Sequence, residues 1–177
     1  MTIMTDGNYP IGKFHKPEKA STEELKQWIH QMRDLPADLR SAVQGLTEEQ
    51  LDHPCREGGW TVRQVAHHIP DSHVNGYIRF KMGLTEEEPV IKPYDQEKWS
   101  ELYDVRSTPV EVSLTLLEAV HARWVVLLES LQEEVFSRTF RHPESGVMNL
   151  TQVLALYAWH GRHHTAAILT LRKEMGW

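Results

Sequence analysis

The sequence is poor in cysteine and in long apolar runs, and each scarcity excludes a class of protein. Cys55 is the single cysteine among 177 residues, which excludes an internal disulfide and favours a reducing compartment. No uninterrupted apolar run approaches the ~20 residues that span a bilayer. The N-terminal stretch lacks a basic region followed by an apolar segment, the pattern of an export signal. The sequence therefore predicts a cytoplasmic protein with no membrane partner.

Clustered positive charge is also absent. The formal net charge is −6, and the 19 lysines and arginines form no basic patch along the chain. A nucleic-acid partner is therefore not expected, because binding to phosphate backbones depends on such a patch. With 40% hydrophobic and 25% charged residues, the composition is that of a globular protein. The length predicts a single domain over residues 1–177.

Helix signals dominate what the sequence does contain. Four stretches combine a helix-start signal with apolar residues at three-and-four spacing, which predicts four long amphipathic helices. Their expected bounds are near Ser21 to Leu46, Thr61 to Leu84, Thr108 to Leu131 and Leu150 to Glu174. Residues 1–20 have two prolines, two glycines and no periodicity, which predicts an irregular arm. The fold class predicted is all-α, a four-helix bundle.

Shorter elements and helix breaks are also predicted. Thr47 and Asp95 are cap residues for two short helices between the long ones. Pro36 is expected to bend or split the first long helix, and Pro70 to kink the second. No strand pair is convincing, and the stretch from Phe136 to Val147 is expected to be irregular or weakly extended.

Two histidines in the last helix are the strongest functional signal. His160 and His164 lie four residues apart within an apolar stripe, so their imidazoles stand one turn above the other and can reach one metal ion at ~2.0–2.1 Å. The alternative is that both are buried, hydrogen-bonded core histidines. Two in register, with His163 beside them, favour metal, because each buried neutral imidazole would otherwise need its own polar partner.

A catalytic metal usually has a third protein ligand, and the second long helix offers three candidates. Straight helical counting places His73 near the centre of the apolar stripe, His68 on its edge and His67 nearly opposite. However, Pro70 can reset the helical phase between His68 and His73. The residue pattern alone leaves the third ligand open.

Five blocks of sequence resemble the YfiT group of the DinB-like superfamily. They are GGWTVRQVAHHIPDSH, NGYIRFK, KPYD with Trp99, HARW and LYAWHGRHH, which occur in order over nearly the whole chain. The resemblance implies a four-helix bundle, often a homodimer, that holds a divalent metal with three histidines. Carried over by position, these are His68, His160 and His164, with His73 as a core or pocket residue. The ion implied is Zn²⁺, with Ni²⁺ or another divalent metal as the alternative.

The resemblance implies a metal-dependent hydrolase, or an S-transferase acting on a low-molecular-weight thiol such as bacillithiol. An ion with an open position would activate either water or a thiol of a small-molecule substrate. The second reaction is slightly favoured mechanistically, because the last helix lacks the glutamate of the HExxH metalloproteases. Cys55 is not expected to be a nucleophile, since no helix start or histidine is placed to lower its pKa.

Several further residues are candidates for catalysis or substrate binding. Asp71 follows His68 by three residues and could orient an imidazole or relay a proton. Arg79, and with it Arg63 and Arg123, could hold an anionic substrate. Tyr94 and Trp124 are candidates for a pocket wall, with a core role favoured for Trp124. The competing hypothesis for the whole chain is a non-catalytic metal-binding helical interaction module.

Overall fold

Most of the chain is helical in the computed structural model, which describes residues 9–177. The four long helices are α1 (Thr22–Val43), α3 (Val62–Thr85), α6 (Val110–Glu129) and α7 (Leu150–Met175), and the short ones are α2 (Glu48–Leu51), α4 (Gln96–Ser100) and α5 (Tyr103–Ser107). Residues 9–20 form neither helix nor strand, as predicted for the arm, whereas its residues 1–8 lie outside the described part. Among the described helices, none is long and apolar enough to cross a membrane.

Three of the four long helices begin where the capping signals predict, whereas α6 has Pro109 rather than Thr108 as its N-cap and no side-chain cap hydrogen bond. Ser21 Oγ accepts a hydrogen bond from the backbone N–H of Glu24, whose carboxylate accepts one from the Ser21 N–H. The same reciprocal pairing starts α3 at Thr61 and α7 at Asn149. Each pairing satisfies two backbone donors that the helix itself leaves without partners.

The prolines do not split the long helices. Helix α1 continues through Pro36 and α3 continues through Pro70, so the expectation that α1 could divide in two is wrong. Pro36 has no N–H, and the carbonyl of Met32 one turn earlier therefore lacks its usual helical donor. The His121 side chain on α6 supplies a replacement through Nδ1. Tertiary packing thus compensates for the missing helical bond.

The bundle has an order that the chain sequence does not suggest. Its long helices pack in the cyclic order α1, α7, α3, α6, so that α1 lies opposite α3 and α6 lies opposite α7. The long helices α1 and α3 follow one another along the chain, as do α6 and α7, yet each pair stands at opposite corners rather than side by side. Residues 44–61 and 130–149 connect these opposite corners.

The second of these connections contains a β-hairpin, which corrects the expectation of no strand pair. Strands β1 (Thr139–His142) and β2 (Gly146–Asn149) pair antiparallel after a 3₁₀-helix at Glu133–Ser137. Phe140 lies directly opposite Met148 in the ladder, and both side chains are buried in the core. The hairpin forms because one face covers the end of the bundle, although each strand is too short to give a clear sequence pattern.

A polar layer separates the apolar core into two clusters. We call it the histidine layer, and it consists of His68, His73, His121, His160 and His164. On α7 one cluster extends to Ala158 and the other starts again at Ile168. On α6 the change falls between Leu117 and Trp124. The helices thus bring their histidines to one level of the bundle.

Candidate metal centre

Three imidazoles from two helices converge in the histidine layer. One ring nitrogen from each of His68, His160 and His164 can be chosen so that all three lie within 4.8 Å of one another. His68 projects from α3, whereas His160 and His164 stand one turn apart on α7. The spacing of four residues places both α7 rings on the face that packs against α3.

The distances and the donor chemistry suit a divalent metal. His68 Nε2 and His160 Nε2 lie 3.1 Å apart. Two nitrogens that share a tetrahedral ion at ~2.0–2.1 Å are separated by about 3.3 Å, so little adjustment is needed. Loss of hydration lowers the pKa of His68 to about 4 and the pKa values of His160 and His164 well below their ordinary value. All three imidazoles are therefore neutral at pH 7 and have a lone pair for a metal.

Trp60 covers the outer side of this cluster. Its indole ring meets the His68 ring edge to face at a centroid distance of 4.6 Å and lies nearly parallel to the His164 ring at 6.5 Å. The indole Nε1–H donates a hydrogen bond of 3.0 Å to the Glu97 carboxylate on α4. Trp60 therefore links the histidines to a carboxylate that lies 37 residues away in sequence.

A cavity of about 670 Å³ opens beside the cluster, with Trp60 and His164 in its wall. Arg56 and the carboxylates of Glu57 and Glu97 line it as well. This volume falls in the range of small-molecule binding sites. Of the three candidate ligands, His164 therefore borders a space that a small polar molecule could occupy.

Two further histidines extend the cluster, and neither lines the cavity. His73 Nε2 lies 3.2 Å from His160 Nδ1, and His73 Nδ1 lies 2.8 Å from His121 Nε2. His121 Nδ1 in turn contacts the Met32 carbonyl. Burial lowers the pKa of His121 to about 4 and that of His73 well below its ordinary value. The periodicity that favoured His73 as a ligand thus identified a buried residue that contacts a candidate ligand.

Asp71 and Arg79, the two candidates for catalysis, lie on α3 away from direct contact with the cluster. The Asp71 carboxylate makes no hydrogen bond to an imidazole within residues 9–177. Burial, and secondly the nearby Asp104, raises the pKa of Asp71 to about 6. Arg79 donates to the Lys92 carbonyl and approaches the Tyr94 ring, 6.0 Å from its centroid. Catalytic roles for both stay predictions.

The other arginines and the aromatic candidates have structural partners. Arg63 is buried and donates to Asp52 at 2.7 Å and to Glu48 at 2.5 Å, so its guanidinium holds α2 against α3. Arg123 approaches the Tyr77 ring, 5.9 Å from its centroid. Trp124 is fully buried in the core, in agreement with the favoured interpretation.

The flanking residues differ in their surroundings. His67 is buried and contacts the Ser113 hydroxyl on α6 at 2.7 Å, and His163 stacks on Trp159 at 4.6 Å. The Cys55 thiol lies in the cavity wall, where burial raises its pKa to about 12. A protonated thiol is a poor nucleophile, which agrees with its exclusion on sequence grounds.

Sequence reasoning missed Trp60 and Glu97 as site residues. Trp60 directly precedes Thr61, the N-cap of α3, and follows Gly58 and Gly59. An aromatic residue at the start of a histidine-containing helix was a usable signal. Glu97 gave none, because its neighbourhood depends on how residues 86–109 fold back over α3. His121 belongs to the HARW block, but its contact with another histidine depends on the cyclic order of the helices.

Comparison with known proteins gives a family match and two sequence relatives that span the chain. A family model for the DinB superfamily matches residues 16–168. A Bacillus cereus (strain 03BB102) protein named "Putative metal-dependent hydrolase" is 53% identical over 174 residues, which are 98% of this chain and 100% of that protein. A Bacillus thuringiensis subsp. konkukian (strain 97-27) protein has the same identity, coverage and description.

A solved structure agrees with the fold closely. YfiT from Bacillus subtilis superposes with a TM-score of 0.94 at 47% sequence identity, over 98% of this chain and 99% of that one. It is described as a probable metal-dependent hydrolase with an unusual four-helix bundle topology. The placement of consecutive helices at opposite corners here fits that description of the topology.

Proposed function

The chain belongs to the DinB superfamily, and on that premise we propose that it is a metal-dependent hydrolase of a small molecule bound beside His164. The observation that carries the proposal is the convergence of three imidazoles, one of which, His164, lies in the wall of a cavity. The descriptions of its relatives as hydrolases support the same reaction class. An interaction module would have no need of such a cavity beside its metal ligands.

His68, His160 and His164 are the ligands we propose, with Zn²⁺ as the ion that a set of imidazole donors suits and Ni²⁺ as the alternative. The chemistry supplied by such an ion, when bound, is acidification of a nucleophile, since three neutral ligands leave its positive charge uncompensated. A set of three protein ligands is typical of catalytic rather than closed structural sites.

The chain's own part in hydrolysis falls to Trp60 and Glu97. Glu97 lines the same cavity as His164, and the Trp60 indole N–H holds its carboxylate in place at 3.0 Å. A carboxylate in this position would accept the proton that the attacking nucleophile releases. Trp60 would also exclude water from one side of His68 by covering its ring.

Hydrolysis is tested with p-nitrophenyl acetate and a set of small amides, using Zn²⁺-loaded and chelator-treated protein. We expect turnover that requires the metal and disappears in His164→Ala. Glu97→Gln should lower turnover by ~10²–10⁴-fold, the contribution typical of a general base. Glu174→Gln is the matched control, because Glu174 lines the same cavity but the Trp60 indole N–H is donated to Glu97. Turnover that survives metal removal would contradict the proposal.

A thiol S-transferase is the second candidate. The last helix has Gly161 directly after His160, where a metalloprotease motif would place its glutamate, and a thiol needs less help from a base than water does. The test incubates the Zn²⁺-loaded protein with a chlorinated aromatic compound and a panel of cellular thiols that includes bacillithiol. The thiol sulfur would bond to the carbon that bears chlorine, with release of chloride and a proton. Conjugates that require both metal and protein would favour transfer, and their absence across the panel would favour hydrolysis.

A further inference from the structure

We infer that His73 and His121 are positioning residues that fix His160 in the tautomer whose Nε2 is unprotonated and faces the metal site. They do so through a chain of hydrogen bonds that starts at the Met32 carbonyl. The inference rests on the proposed metal site, since it explains how one of the proposed ligands is oriented. The chain of contacts itself is independent of any metal.

The proton positions follow from the first acceptor. A carbonyl oxygen can only accept, so His121 Nδ1 must carry the proton in its contact with Met32. In a neutral imidazole the other nitrogen is then an acceptor, and His121 Nε2 receives the Nδ1–H of His73 at 2.8 Å. His73 Nε2 is left as an acceptor in the same way.

The same logic continues to the candidate ligand. His73 Nε2 lies 3.2 Å from His160 Nδ1, which must therefore donate its proton to it. His160 Nε2 is then free of a proton, and this is the nitrogen that lies 3.1 Å from His68 Nε2 in the cluster. One backbone carbonyl thus determines the tautomer of three successive histidines.

The neutral state of the relay follows from its surroundings. His73 is completely buried and His121 is 1% exposed, between Trp124 and Tyr157. A charge on a ring buried this completely would be costly without an ionic partner. None of the hydrogen bonds that the structure gives to these two rings comes from a carboxylate. Neutral imidazoles in a fixed direction are the arrangement that satisfies these contacts.

Pro36 makes the first acceptor available. In an uninterrupted helix the N–H of residue 36 would bond to the Met32 carbonyl, but proline has no N–H. The carbonyl is therefore open to His121 from the neighbouring helix. The relay joins α1, α6, α3 and α7 in that order, through Met32, His121, His73 and His160.

The first experiment measures the Zn²⁺ affinity of purified variants by competition with a chromophoric chelator. His73→Phe removes the acceptor of His160 while keeping an aromatic ring of similar size, and we expect ~10–100-fold weaker binding, as for other outer partners of metal ligands. His73→Gln places an amide oxygen near the former Nε2 and should recover part of this loss. His67→Phe is the matched control, because His67 is also buried on α3 but bonds to Ser113 outside the relay.

The second experiment needs no metal, and its first measurement needs no variant. Nitrogen NMR of the imidazoles in the metal-free wild-type protein should find His160, His73 and His121 protonated at Nδ1. In His121→Phe, His73 and His160 should lose this preference and populate the Nε2–H form. A purely structural role for these residues would leave the tautomer of His160 unchanged.

The two experiments separate the possible failures. The relay would be overturned if His73→Phe bound Zn²⁺ as tightly as the wild-type protein does. It would also be overturned if His160 were protonated at Nε2 in the wild-type protein. Wild-type protein that binds no Zn²⁺ would instead overturn the proposed metal function, while the NMR result would still decide the proton positions. A variant that fails to fold leaves the wild-type NMR measurement as the test.

Discussion

Metal binding should raise the stability of the folded protein through His164 and not through its neighbour His163. A ligand that binds the folded state alone adds about 2.7 kcal/mol to the free energy of unfolding when its concentration is 100 times its Kd. For 177 residues, an unfolding entropy of about 2.1 cal/mol/K per residue gives about 0.37 kcal/mol/K. The expected rise in Tm of the wild-type protein is therefore about 7 °C.

The assay compares thermal unfolding with Zn²⁺ and with a chelator for the wild type and two variants. His164→Ala removes one of three converging donors and should abolish most of the metal-dependent shift. His163→Ala removes an adjacent imidazole that stacks on Trp159, and should keep the full shift. Equal shifts in both variants, or a full shift in His164→Ala, would refute the assignment of the ligands.

Three further predictions concern the surroundings of the site. Asp71 has a pKa of about 6 in the folded protein against 3.8 when unfolded, so its ionisation opposes folding increasingly as pH rises from 4 to 6. Asp71→Asn should therefore raise the free energy of unfolding by roughly 1 kcal/mol at pH 8, after allowance for partial exposure, and by little at pH 4. Urea unfolding measures both values, and an equal gain at the two pH values would contradict the raised pKa. Gly76→Ala places a methyl group 2.3 Å from the Tyr157 ring, and this overpacking should lower the free energy of unfolding by about 1–3 kcal/mol, although alanine is the better helix former. The urea midpoint should therefore fall, and a higher midpoint would contradict the packing. Cys55 is partly buried, which raises its pKa to about 12, so it should react slowly with a disulfide reagent at pH 8 when folded and rapidly in denaturant. Fast labelling of the folded protein would contradict the raised pKa.

Local signals were enough to predict the helices of the bundle. The caps at Ser21, Thr61 and Asn149 specify helix starts within one turn of chain, because both partners of each capping box are three residues apart. The end of α7 followed from Gly176, which adopts a left-handed backbone with φ of +70°. Helix α5 was missed because five residues carry too little periodicity and its start has no side-chain cap, unlike the short helices α2 and α4. The four-residue strands of the hairpin likewise carry too little periodicity.

The site was only partly predictable for a physical reason. Spacing identified His160 and His164 because both belong to one helix, and periodicity identified His73 as buried. It could not rank His68 above His73, because α3 has neighbours on several sides and both faces of it are covered. Resemblance to a family supplied His68, and the contact between His73 and His121 required the helix order.

The histidine layer also bears on how the helices find their alignment along the bundle axis. Sliding one helix by a single turn would move an imidazole against aliphatic side chains and leave a buried N–H without an acceptor, which costs about 1–3 kcal/mol for each group. A core of leucine and valine alone would tolerate such a slip much better. A bundle with consecutive helices side by side would also leave a buried N–H without an acceptor, since Met32 and His121 would no longer meet. Polar groups placed midway along the axis would thus select one register and one topology from several that apolar packing would accept.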